Sequence, residues 1–266
     1  MFIRKDRRNK DMKNKATAIF VFYVLVAGVC YTLNQYEVIP TSKTKQKIKP
    51  TNIPCVIVID AGHGGMDPGK VGVNDALEKD INLSITKKLK VLLEKKGIKV
   101  VLTRDSDKGL YNARDTHKKA ADLQRRTQLI TKSNADMVVS IHQNSFTSPD
   151  VKGAQVFFYE DSVESESLAQ CVQDSLRENI NPENKREIKP NASYYLLKNN
   201  PCPMVVVECG FLSNPEEAEL LTGEEYQKKI AKAIEIGILN YWKQKETPEE
   251  EMTMTGVIQR GIRQRI

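Results

Sequence analysis

Cys55-Val56-Ile57-Val58-Ile59-Asp60-Ala61-Gly62-His63 (CVIVIDAGH, residues 55–63) sets the class of fold. Four successive β-branched residues with no polar residue among them read as a short strand buried on both faces, and Gly62 opens the turn that ends it. Beyond the turn, Ile81, Ile85, Leu89, Leu92 and Leu93 recur at helical spacing within residues 79–96, with Gly97 as the stop. IKVVLT (98–103) reads as the next strand and residues 120–133 as the next helix. MVVSIH (137–142), AQVFFY (154–159), SYYLL (193–197) and PMVVVE (203–208) read as further strands, with helices near 163–180 and 224–242. Continuous apolar strands alternating with helices predict an α/β fold, with a twisted, mostly parallel sheet of about six strands flanked by helices on both faces. Ligands of such sheets sit outside the carboxyl ends of the strands.

Three of those strand ends carry a group that can bind metal or move a proton: His63 after the first, His142 closing a middle one, Glu208 closing the last. The chain has three histidines, and two of them stand in such positions. With Glu78 at the start of the first helix they make two imidazoles and a carboxylate, a set that suits a catalytic zinc with a fourth position open. The competing reading is structural, since a strand-end histidine is often only hydrogen-bonded. Gly64-Gly65-Met66-Asp67-Pro68-Gly69-Lys70 nearly spells a phosphate-binding loop, but Val71 stands where the motif needs Ser or Thr, and Pro68 removes a cradling N–H.

The charge is a topology signal. Residues 1–15 carry a net +5 and residues 34–54 a net +3, which accounts for the overall +7 and leaves the rest near neutral. A basic nucleic-acid reader is therefore not expected. Residues 16–33 hold 18 uncharged residues, the length of a short membrane-spanning helix. The basic flank predicts a cytoplasmic N-terminus with the remainder outside, either on an uncleaved single-pass anchor or after a cleaved signal segment. The expected organisation is a basic flank (1–15), the anchor or signal segment (16–33), a linker (34–53), a catalytic domain (54–244) and a disordered tail (245–266). Five scattered cysteines suggest buried or lipid-facing thiols rather than a disulfide framework.

The blocks VIVIDAGHGGMDPG, ALEKDINLSI, DMVVSIHQNS and VVVECGFLSNPEE resemble, in order and spacing, the signature blocks of the zinc-dependent N-acetylmuramoyl-L-alanine amidases over residues 54–244. The resemblance implies His63, Glu78 and His142 as ligands of one zinc ion and Glu208 as the carboxylate that takes a proton from water and returns it to the leaving nitrogen. It also suggests Arg126 as a group that steadies an oxyanion or a peptide carboxylate, with a solvated helix arginine as the alternative. Asp60 would accept from the other ring nitrogen of His63, Asn144 would orient a ligand or touch glycan, and His117 would be exposed and inert. Lys79 and Asp80 would lie on the surface. Gln143 departs from the small residue usual in the family and would border the cleft. The short interval from His142 to Glu208, the INLSI block and the SYYLLKN segment are similar to the spore-cortex amidases, whose cut precedes muramic-δ-lactam formation by a deacetylase. Implied partners are the peptidoglycan glycan strand and stem peptide, and an accessory lipoprotein or a deacetylase. The implied location is the outer face of the cell membrane, or the forespore intermembrane space. A vegetative autolysin, an inactive wall-binding module and a stem-peptide peptidase are the alternatives.

Overall fold

The computed structural model describes residues 55–246; the segments 1–15, 16–33 and 34–53 and the tail from residue 247 lie outside the described residues. Six strands, β1 (Val56–Ala61), β2 (Lys99–Leu102), β3 (Met137–Asn144), β4 (Gln155–Phe158), β5 (Lys189–Pro190) and β6 (Met204–Phe211), form one sheet in the order β2-β1-β3-β6-β4-β5. The four strands from β2 to β6 are mutually parallel, whereas β4 runs antiparallel to β6 and β5 follows β4. Among the described residues no helix is long and apolar enough to cross a membrane.

Helices α1 (Glu78–Glu94), α3 (Val163–Asn179) and α6 (Glu224–Glu246) pack on one face, where Ile57, Ile59, Val139, Val205 and Val207 meet Ile85, Leu89, Leu168 and Ile234. A smaller core on the other face joins Val58, Val138, Phe157 and Val206 to Ile130 of α2 (Lys118–Lys132) and to Leu196 and Leu197 of α4 (Tyr195–Lys198). Helix α5 (Pro215–Thr222) follows β6, with the Asn214 side chain accepting from Glu217 N at its start. With both faces covered, the central strands need apolar residues at successive positions, which is why they read as unbroken runs.

One strand assignment is corrected. SYYLL (193–197) is not a strand: Asn191 Oδ1 accepts from Ser193 N (2.8 Å) and Tyr194 N (2.7 Å), and the chain turns into the single helical turn α4. Leu196 and Leu197 reach the core from that turn, so their burial is served without pairing. Lys189–Pro190 takes the edge beside β4 instead, and a proline suits an edge because it has no N–H to donate.

Candidate metal centre

Side chains alternate along a strand, so the face that carries Val58, Val138 and Val206 also carries Asp60, Ser140, His142 and Glu208 further along. These four stand at the carboxyl ends of β1, β3 and β6, and His142 pairs in register with Glu208. The register of β3 and β6 shifts between His142 and Asn144, so the regular ladder ends at the site. His63 arrives from the turn after β1 with φ 62°, the left-handed region that a non-glycine residue seldom adopts. A side chain on Gly62 would meet the His142 ring at 2.3 Å, and one on Gly69 would meet Glu78 Oε2 at 2.5 Å. The glycines of the loop are thus required by how closely the backbone passes the site.

His63, Glu78 and His142 each offer a ligand atom within 4.8 Å of the others, a grouping that can hold a metal ion. The two rings stand edge to face with centroids 5.0 Å apart. Glu78, the first residue of α1 and 2% exposed, lies between them, with Oε2 3.2 Å from His63 Nε2 and Oε1 2.9 Å from His142 Nδ1. Lys70 N and Gln143 N also donate to it. Burial opposes its charge, but the hydrogen bonds from His142 and His63 outweigh burial and hold the carboxyl far below the usual range. For His142, burial likewise opposes the charge, and bonding to Glu78 wins, pushing the ring up to about 9.

Glu208 is the opposite case. It is 7% exposed, its Oε2 has no hydrogen-bond partner, and burial pushes its pKa up to about 7 despite the nearby His142 charge. A carboxyl that titrates near neutrality is suited to take and return a proton.

Arg126 borders the cavity beside His63 and His142 but is almost fully buried. At 1% exposure it donates to Asp122 and Asp60 (both 2.6 Å) and to the carbonyls of Ala61 (2.7 Å) and His63 (2.6 Å). These bonds tie Arg126 to the His63 turn. Asp60 does not bond His63 as expected; it accepts from Arg126, Thr103 and Ser140, and its carboxyl sits at about 2 because those partners outweigh its burial. The partner of His63 is Asp67, whose Oδ2 lies 3.0 Å from Nδ1. That carboxylate belongs to the glycine loop that mimics a phosphate cradle.

Gln143 does not border the cleft either. It is 2% exposed and points to the opposite face, where its Nε2 donates to Asn82 Oδ1, while Asn82 Nδ2 donates to Glu78 Oε1 (3.3 Å) and to Gly62 O. Asn144 spends its Oδ1 on Ser145 N and touches neither ligand through a hydrogen bond. Lys79, expected at the surface, donates to Gly65 O and to Asp107 and is mostly covered. Asp80 and His117 are exposed. Two residues escaped the sequence reading. Arg104 donates to the carbonyls of Ala61, Gly62 and Lys79 and locks the turn to α1; its position directly after a strand was the available signal. Tyr194 is the other, hidden by the misread strand. The cysteines at 55, 171, 202 and 209 are free thiols, and all but the half-buried Cys202 are buried.

Fold and site together define an α/β protein with a three-residue group fit to hold a metal ion near a buried carboxyl whose pKa burial raises. The profile of the family described as N-acetylmuramoyl-L-alanine amidase matches residues 57–240. The chain is 39% identical over 208 residues to the germination-specific N-acetylmuramoyl-L-alanine amidase of Bacillus subtilis, covering 76% of this chain and 87% of that protein. It is similar to the CwlD amidase from Clostridioides difficile, solved in complex with the GerS lipoprotein, at 46% identity and a TM-score of 0.70, over 71% of this chain and 98% of that one. The AmiC2 amidase of Nostoc punctiforme matches at 35% identity with a TM-score of 0.63, over 71% and 97% of the two chains. The chain belongs to the N-acetylmuramoyl-L-alanine amidase family.

Proposed function

We propose that this chain is a zinc-dependent hydrolase of the amide between N-acetylmuramic acid and L-alanine, acting in spore-cortex maturation before muramic-δ-lactam is made. The observation that carries the reading is the pairing of a ligand set, His63, Glu78 and His142 within 4.8 Å, with Glu208, whose buried Oε2 has no partner. Two nitrogens and a carboxylate oxygen in a partly closed cleft fit zinc and leave room for water and substrate. A bound zinc ion would polarise the amide carbonyl and acidify the attacking water. Glu208 takes the water's proton and passes it to the alanine nitrogen as the C–N bond breaks, and a pKa near 7 lets it do both at neutral pH. Asp67 holds the His63 ring by its far nitrogen, and Arg126 with Arg104 fixes the carbonyls on either side of it.

The likeness to the Bacillus germination-specific enzyme and to the C. difficile CwlD amidase supports the cortex role, and the latter's complex supports an accessory lipoprotein as a partner. Attachment to the membrane through residues 16–33, with the catalytic domain outside or in the forespore intermembrane space, rests on the apolar run and its basic flank. Digestion of purified peptidoglycan tests the activity: free muramic residues with intact stem peptides are expected, together with about one zinc per chain. Shortened stems would instead make the protein a peptidase. Spores lacking the protein should lack muramic-δ-lactam; normal lactam levels would move it to vegetative wall turnover.

A further inference from the structure

We infer that the cleft is polarised, with the cavity over β1 taking the stem peptide by its free carboxylate and a Tyr194 wall over β4 taking the sugar. This rests on the amidase reading and adds the direction in which the substrate lies. The sheet order supplies the axis: on the small-core face, Asp60 of β1, His142 of β3, Glu208 of β6 and Phe157 of β4 follow one another across the sheet. The metal ligands and Glu208 therefore stand between two regions of different chemistry.

On the β1 side lies a cavity of about 260 Å³ that includes His63 and His142 in its wall, with Leu123, Leu196, Lys118 and Lys119. Its cations are not equivalent. Arg126 is committed to Asp60 and Asp122, and Lys119 pairs with Asp67 at 3.1 Å. Lys118 sits 5.8 Å from the centre of the Tyr111 ring and, among the described residues, forms no ion pair with a carboxylate. These lysines do not serve their helix: α2 has no acidic residue in its first turn, where the helix dipole disfavours cations. Lys118 is the cation left to meet an incoming anion.

On the β4 side, Phe157 and Glu208 are diagonal neighbours, since Phe157 pairs with Val206 and Gln155 with Glu208. Such neighbours stand roughly 7–8 Å apart. The Tyr194 ring lies 5.6 Å from Phe157, is 37% exposed, and has Tyr195 exposed beside it. Burial, and then the charges of Glu208 and Glu78, push the Tyr194 hydroxyl upward. The two halves of the substrate differ in the same sense. The muramoyl side is an uncharged sugar, whose C–H faces suit aromatic rings, and the peptide side carries free carboxylates.

Steady-state kinetics of the zinc-loaded full chain on three soluble substrates tests the assignment: a disaccharide bearing a stem with a free glutamate carboxylate, the same compound with that carboxylate amidated, and a lactyl-peptide without sugar. Lys118→Ala should raise KM for the carboxylate form about tenfold, leave the amidated form nearly unchanged, and leave kcat and zinc content as in the wild type. Tyr194→Ala should raise KM for the two sugar-bearing substrates and not for the lactyl-peptide, while Tyr194→Phe, which keeps the ring, should stay near wild type. A Lys118→Ala effect that ignores the carboxylate, or a Tyr194→Ala effect that ignores the sugar, overturns the polarity while the amidase reading stands. A wild type that cleaves none of the three, alone or with its accessory lipoprotein, overturns both.

Discussion

On the face covered by α1, α3 and α6, strands β1, β3 and β6 present Ile57 and Ile59, Val139 and Ile141, Val205 and Val207, all fully buried in one apolar core. On the other face the same strands begin alike, with Val58, Val138 and Val206, then change to Asp60, Ser140, His142 and Glu208. One face stays apolar until Gln143 near the end of β3; the other gives way to polar groups earlier, at Asp60, Ser140, His142 and Glu208. Burying such groups is costly unless they are paired, and here nearly all are. Asp60 has Arg126, Thr103 and Ser140, and His142 has Glu78, but Glu208 Oε2 has nothing. That unpaired oxygen is the one the proposed proton transfer would use.

The largest effect expected from breaking this contrast is on catalysis. Glu208→Gln should lower stem-peptide release by roughly 10²–10⁴-fold, while zinc content holds and thermal stability is unchanged or higher, because a buried unpaired charge is removed. A variant that unfolds instead would make Glu208 a structural group. Next comes Arg126→Ala, which strands Asp60 without its cation and should cost about 3–5 kcal/mol in urea unfolding, with activity falling through displacement of His63. On the apolar face, Leu89→Ala should cost about 2–5 kcal/mol and leave the activity of the folded fraction intact, so that stability and chemistry separate by face.

The buried carboxyls also predict opposite responses to pH. Asp60 is depressed to about 2 from 3.8, so its stabilisation is present above pH 3.8 and lost as pH falls through 2, on the order of 2 kcal/mol. Glu208 is raised to about 7 from 4.5, so in the metal-free protein its contribution is present below pH 4.5 and lost as pH rises through 7. Unfolding of the metal-free protein across this range, beside Asp60→Asn and Glu208→Gln, should show each variant flattening its own limb. The smallest effect concerns Gln143. Gln143→Ala should loosen Asn82 and through it Glu78, weakening zinc binding about tenfold in chelator competition; unchanged affinity would leave Gln143 as packing alone.

By itself the sequence determined the strands that are buried on both faces, because their apolar runs leave no other reading, and the helices whose apolar stripe keeps one period. It also singled out the candidate site residues, since His63 and His142 stand at strand ends, Glu78 opens a helix and Glu208 lies on the last strand. Only the tertiary structure decided how those residues are supported. Asp67 rather than Asp60 reaches His63, because the glycine loop folds back over the turn while Arg126 claims Asp60 from 66 residues away. Only the tertiary structure placed Gln143 on the hidden side of β3, because that depends on which face of the strand the core occupies. The SYYLL segment was decided by its surroundings as well: the four residues Tyr194–Leu197 suit a strand or a helical turn equally, and Asn191 and the occupied edge of β4 selected the turn. Local patterns carry burial, which is a property of each residue, whereas hydrogen-bond partners distant in sequence are chosen only when the chain closes on itself.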